Sequence, residues 1–304
     1  MPPLRDLLSM LTLALAIAAC APRSTPPPPP TPLAPRPAGA LRVRFASHDA
    51  DLTRGAPTWL DAAVFRPAGL GPFPAVIALH GCAGPYDRHG ELQARDLDWA
   101  LRLRAEGYLV LLPDSFGPRG VRETCTRHDH PVRPGFERAR DAYGALLYLQ
   151  SLPDVRADRV ALLGWSNGGI TTLSAIASTS QARPRGLAHD FRVAVAFYPG
   201  CARVAERDTY GVVAPLHILI GESDDWTPAA PCRALTERAR AAGEPVELVV
   251  YPGAFHDFDA PAMTVHVRRG VASTRSGTAT LGTNPGARAD AVRRVPVILA
   301  RALR

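Results

Sequence analysis

The chain has no lysine, and all 35 of its basic side chains are arginine. Set against 28 carboxylates these give a formal charge of +7. The arginines are scattered, with no basic stripe interleaved with exposed aromatics, which argues against a nucleic-acid partner. A codon bias toward Arg, Ala and Pro explains the usage more simply. The apolar run near the N-terminus, Leu7 to Ala19, is thirteen residues long. That is short of the roughly 20 needed for a membrane-spanning helix. No internal repeat is visible. His128 and His130 form a lone His-x-His, too few ligands for a metal site, so neither a metal nor a cofactor is expected.

What is present at the N-terminus reads as targeting rather than fold. Arg5 precedes the apolar run, which ends in Ile17-Ala18-Ala19-Cys20. This resembles a bacterial lipobox, so residues 1–19 are expected to be a lipoprotein-type signal peptide and Cys20 the lipidated residue. An ordinary signal peptide cleaved near Ala19 is the alternative. Residues 20–40 follow as a proline-rich tether, with nine prolines between Ala21 and Ala40. Such a segment is an extended spacer of roughly 60 Å at about 3.1 Å per residue. The expected location is the cell envelope, periplasmic or outer-membrane in a Gram-negative host, with the lipid anchor as the only membrane contact. In that oxidising compartment Cys82, Cys125, Cys201 and Cys232 are expected to form two disulfides, with three connectivities possible.

From residue 41 onward short apolar runs alternate with longer amphipathic ones. Strands are expected at 41–46, 60–66, 74–79, 108–112, 159–163, 193–197, 216–220 and 246–250. Helices are expected between about Leu92 and Gly107, over 136–149, from the residue after Ser166 to about Ser178, over 229–242 and from about Arg288 to the end. Continuous apolar strands separated by helices predict an α/β fold, with a mostly parallel sheet flanked by helices on both faces. Residues 41–304 read as one such domain.

The most informative stretch is Val160-Ala161-Leu162-Leu163-Gly164-Trp165-Ser166-Asn167-Gly168-Gly169. An apolar strand, Gly-x-Ser-x-Gly and a helix start is the order a nucleophile elbow requires, lifting the serine Oγ clear of the sheet. The N–H of Asn167 would open the helix, where backbone donors are free and the dipole favours an anion. Candidate partners fall at later strand ends in the order Ser, Asp, His. They lie in Gly221-Glu222-Ser223-Asp224-Asp225 and in Tyr251-Pro252-Gly253-Ala254-Phe255-His256. After the third strand, His80-Gly81-Cys82-Ala83-Gly84 exposes backbone N–H groups where a second oxyanion donor belongs.

These four ordered motifs resemble those of the dienelactone hydrolase family of α/β-hydrolases, and the resemblance covers essentially all of residues 41–304. It implies an α/β-hydrolase fold and a triad of Ser166 as nucleophile, His256 as general base and Asp224 as the acid orienting it. Asp225 is the rival acid; it is expected near the following helix start, with Thr227 as the cap. The N–H groups of Cys82 and Asn167 would form the oxyanion hole. The founding members of the family carry a cysteine nucleophile where this chain has Ser166. That departure puts the dienelactone substrate itself in doubt and makes a serine esterase acting on a small ester the better inference.

Placed on that fold, Cys82–Cys125 and Cys201–Cys232 are geometrically reasonable pairs. His80 reads as hydrogen-bonded structure more than as a substrate contact. The arginines of loop 114–135 could meet a substrate carboxylate or phosphate, or merely belong to a solvated, disulfide-pinned loop. Pocket walls are expected from 114–135, 183–190 and 254–287. A reading of a different class is a catalytically inactive envelope lipoprotein that uses the fold for binding.

Overall fold

The computed structural model describes residues 40–207 and 209–304. The signal-peptide, lipidation and tether readings for residues 1–39 lie outside the described residues. The described residues all belong to one compact unit.

Eight strands form one sheet: β1 (Leu41–Ala46), β2 (Trp59–Phe65), β3 (Phe73–Leu79), β4 (Leu109–Pro113), β5 (Val155–Trp165), β6 (Val193–Phe197), β7 (Leu216–Gly221) and β8 (Val246–Tyr251). Their spatial order is β1-β2-β4-β3-β5-β6-β7-β8. β1, β2 and β4 pair antiparallel, and every other neighbour pair is parallel. Every residue of β4 and β6 is buried. Because side chains alternate between faces, such strands are covered on both sides. α2 (Ala139–Gln150) and α3 (Asn167–Ala175) pack on each other and on β5. α1 (Ala94–Ala105) and α6 (Pro285–Leu303) are tied by a 2.8 Å Arg288–Asp98 ion pair. α5 (Ala229–Ala241) lies on β7 and β8. This is the α/β-hydrolase fold.

The expected elements are present, with informative differences. The helix expected over 136–149 begins as a π-turn at Pro134–Arg138 before continuing as α2. β5 starts four residues earlier than expected, at the buried Val155, and continues through the partly exposed Arg156–Arg159. The apolar run Val160–Trp165 marks only its continuously buried part. Four elements go beyond the sequence expectation: the 3₁₀ turn Gly117–Arg119, the one-turn helix α4 (Ala202–Ala205) and the hairpin β9 (His266–Arg269) and β10 (Thr278–Leu281). Parallel strands end in register, so β3, β5, β7 and β8 deliver the loops after residues 79, 165, 221 and 251 to one edge of the sheet.

Candidate active site

Ser166 sits at the strand-to-helix turn with φ 52° and ψ −112°, a left-handed conformation that a non-glycine residue adopts only when its surroundings enforce it. Those surroundings are tight. A Cβ on Gly164 would run into the carbonyl of Gly168, and one on Gly168 into those of Leu79 and His80. The elbow needs both positions bare. The Ser166 N–H donates to the Phe197 carbonyl of β6 at 3.0 Å, which fixes the turn to the neighbouring strand. Asn167 is the first residue of α3, so its N–H has no acceptor within the helix. Its side-chain oxygen is held by the buried Arg138, which also donates to the His80 carbonyl at 2.8 Å. Burial lowers the Arg138 pKa to about 10, with the Asp141 charge opposing.

The loop after β8 brings His256 to the same edge. Its Nδ1 lies 2.7 Å from Asp224 Oδ2, and both side chains are essentially out of solvent. Asp224 Oδ1 accepts from the N–H groups of Trp226 (2.9 Å) and Thr227 (2.8 Å). Burial pulls the His256 pKa down, but the Asp224 charge and hydrogen bond outweigh it and leave it raised. His256 Nε2 is buried, without a protein hydrogen-bond partner, and the ring lines the same cavity of about 220 Å³ as Ser166. Tyr198 and Trp226 pack on the imidazole at centroid distances of 4.5 and 4.8 Å.

The rival acid goes elsewhere. Asp225 is exposed and accepts from the Thr280 N–H (2.7 Å) and hydroxyl (2.8 Å), tying its loop to β10. Thr227 does not cap α5, contrary to the sequence expectation, because that helix starts after Pro228 with no side-chain cap. Its hydroxyl is drawn instead to the Tyr198 carbonyl and Asp224 Oδ2, both at 3.0 Å.

Cys82 and Cys125 are bonded, as are Cys201 and Cys232. The first bridge lines the cavity, and beside it Thr124 N–H donates to the Cys82 carbonyl at 2.8 Å. His80 is buried and stays off the cavity. Its Nε2 accepts from Ser115 N–H (3.3 Å), and its Nδ1 lies 2.7 Å from the Gly81 carbonyl. Burial first, then the Arg138 charge, holds its pKa well below the ordinary value, so it is a neutral structural residue.

The expected pocket walls are corrected in two respects. Loop 183–190 contributes nothing to the cavity, and loop 114–135 contributes only Cys125. Three of that loop's arginines are engaged elsewhere, Arg119 with Asp141 and Asp49, Arg127 with Asp129 and Arg133 with Glu137, and the fourth, Arg122, is exposed and does not line this cavity. The cations that do line the cavity are Arg95 and Arg268, which the sequence did not single out. Arg95 donates to Asp257 and Asp96, both at 2.7 Å, and Arg268 lies over the Trp226 ring at 5.7 Å. Burial works to raise the Asp257 pKa, but the charges of Arg95 and His256 outweigh it and hold the carboxyl below its usual range. Among the described residues no cluster of side chains could hold a metal ion, and no helix is long and apolar enough to cross a membrane.

Residues 60–302 match the dienelactone hydrolase family. The chain belongs to that family. A Bradyrhizobium relative described as a probable 2-oxo-3-(5-oxofuran-2-ylidene)propanoate lactonase is 26% identical over 208 residues, 64% of this chain and 76% of the relative. Among solved structures, Thermogutta terrifontis esterase 2, phosphoramylated by tabun, superposes with a TM-score of 0.59 at 17% identity, over 88% of this chain and 96% of that one. A dienelactone hydrolase-like promiscuous phosphotriesterase from metagenomic libraries gives a TM-score of 0.62 at 17% identity, over 88% and 100%. These two structural likenesses show the fold.

Proposed function

We propose that the protein is a serine hydrolase that cleaves small carboxylic esters through Ser166, His256 and Asp224 and an acyl-enzyme intermediate. Support at the coarser level of ester hydrolysis comes from family membership and from the Bradyrhizobium relative, since a lactone is a cyclic ester. The observation that carries the finer reading is the 2.7 Å contact between His256 and Asp224, with the other imidazole nitrogen left free in the Ser166 cavity.

In this reading Ser166 Oγ attacks the ester carbonyl carbon while His256 Nε2 takes its proton. Asp224 fixes the tautomer with the proton on Nδ1 and stabilises the imidazolium. The N–H groups of Cys82 and Asn167 receive the charge that develops on the carbonyl oxygen, each worth roughly 3 kcal/mol in the transition state. Collapse expels the alcohol, which takes its proton from His256. Water, deprotonated by the same base, then releases the acid. A cavity of about 220 Å³ walled by Met263, Leu281, Pro261 and Trp226 suits short acyl groups.

Export belongs to the same proposal. The Ile17-Ala18-Ala19-Cys20 sequence and the proline run after it support lipidation at Cys20 and an envelope location. Metabolic labelling with a radioactive fatty acid tests this: a Cys20→Ala chain should take up no label. The chemistry is tested by a fluorophosphonate probe with mapping of the modified peptide. Label on Ser166 is expected. A folded chain that stays unlabelled would favour the inactive binding lipoprotein.

A further inference from the structure

In the sheet order the strands that deliver Ser166 and His256, β5 and β8, are separated by β6 and β7. No ladder hydrogen bond sets one relative to the other, yet misplacing reacting groups by about 1 Å can cost about 100-fold in rate. Beside the packing of Phe197 on Trp165 and Phe258, a buried polar side chain spans the gap. Asp259, fully buried and three residues beyond His256, accepts from Trp165 Nε1 at 2.9 Å and Trp99 Nε1 at 2.7 Å through Oδ2. Its Oδ1 accepts from the Tyr198 hydroxyl at 2.7 Å. Trp165 directly precedes Ser166, and Tyr198 is one of the two rings that pack on His256. Arg95 joins the same group, donating to Asp257 at 2.7 Å and to the Tyr198 hydroxyl at 3.3 Å.

A carboxylate in this position is costly for a core, and an apolar residue of similar volume would pack there without the desolvation penalty. Three convergent donors reduce that cost, and their identities are informative. One belongs to the nucleophile elbow, one to the wall against the base and one, Trp99, to α1.

We infer that Asp259 is a positioning residue that couples the nucleophile elbow directly to the loop carrying the base. The inference rests on the serine-hydrolase reading of the site. Asp259 touches neither substrate nor reacting atoms and acts through Trp165 and Tyr198.

The test compares the two indoles that share Oδ2, using the full folded domain, p-nitrophenyl butyrate turnover and thermal melting. Trp165→Phe should lower kcat about tenfold or more, with KM within about twofold, because it frees the elbow. Trp99→Phe removes an equivalent hydrogen bond from α1; it should lower Tm comparably while kcat stays within about twofold. Asp259→Ala should lower kcat about 100-fold. Asp259→Asn should restore most of this, since an amide oxygen can accept both indoles while its NH₂ donates to Tyr198. Equal kcat in Trp165→Phe and Trp99→Phe, with only Tm moving, overturns the coupling, and this comparison stands even if Asp259→Ala fails to fold. A wild type that turns over no ester and takes no fluorophosphonate label overturns the serine-hydrolase reading, and the coupling with it.

Discussion

Asp224 and His256 meet through a 2.7 Å contact between Oδ2 and Nδ1, with Asp224 Oδ1 already committed to two backbone N–H groups. That double commitment leaves the carboxylate one orientation. The imidazole is therefore held with its proton on Nδ1 and its free nitrogen toward the Ser166 cavity. Asp224→Asn keeps the shape but allows the opposite tautomer, so kcat for a p-nitrophenyl ester should fall by about 10⁴. Asp225→Asn alters only the tie to Thr280 and should leave kcat within about threefold. Steady-state kinetics of the two variants side by side decide which acid the site uses.

The raised pKa of His256 has a definite sign for activity. In the proposed mechanism His256 acts as base only when neutral, so kcat/KM should fall as pH drops through a value above the ordinary 6.5. Asp224→Asn removes the charge that raises it, and burial then dominates. The acid limb should move to lower pH in that variant, even as the plateau collapses. A pH–rate profile of both proteins checks the direction.

His80 gives the opposite linkage. Its folded pKa lies well below 6.5, so under acid conditions the unfolded chain binds a proton that the folded chain refuses. Stability from this residue is present above about pH 6.5 and is lost as pH falls below it, at up to about 1.4 kcal/mol per pH unit. In melts from pH 7.5 to 4.5, His80→Gln should be less stable than wild type at the top of the range. The gap should narrow toward the bottom.

The two disulfides should separate in their effects. Bridging residues 43 and 31 apart, each contributes roughly 3–4 kcal/mol in a chain-entropy account. Only Cys82–Cys125 lines the cavity and clamps the turn that carries the Cys82 N–H. The Cys82→Ala/Cys125→Ala double variant should lose both Tm and kcat, whereas Cys201→Ala/Cys232→Ala should lose mainly Tm. Kinetics at a temperature where both variants are folded distinguish them.

Strand ends were legible because buried parallel strands are written as continuous apolar runs, and Gly164, Gly168 and Gly169 punctuate the elbow unmistakably. The hairpin of β9 and β10 was not legible, since His266-Val-Arg-Arg is mostly exposed and has no apolar alternation. Nor were Arg95, Asp257 and Asp259. In a linear sequence a buried carboxylate reads the same as a solvated one, and Trp99, Trp165, Tyr198 and Asp259 lie up to 160 residues apart. Loop 114–135 left two readings open, substrate recognition or a solvated, disulfide-pinned loop, and its contacts agree with the second: Arg119 is held by the scaffold carboxylates Asp49 and Asp141, and Cys125 is bridged to Cys82.

The central claim is that Ser166 is the nucleophile of an ester hydrolase. Its most direct test is hydrolysis of p-nitrophenyl acetate and butyrate by residues 41–304, wild type against Ser166→Ala. The account predicts turnover by the wild type and a loss of about 10⁴-fold or more in kcat for the variant. Equal rates in the two proteins would contradict it.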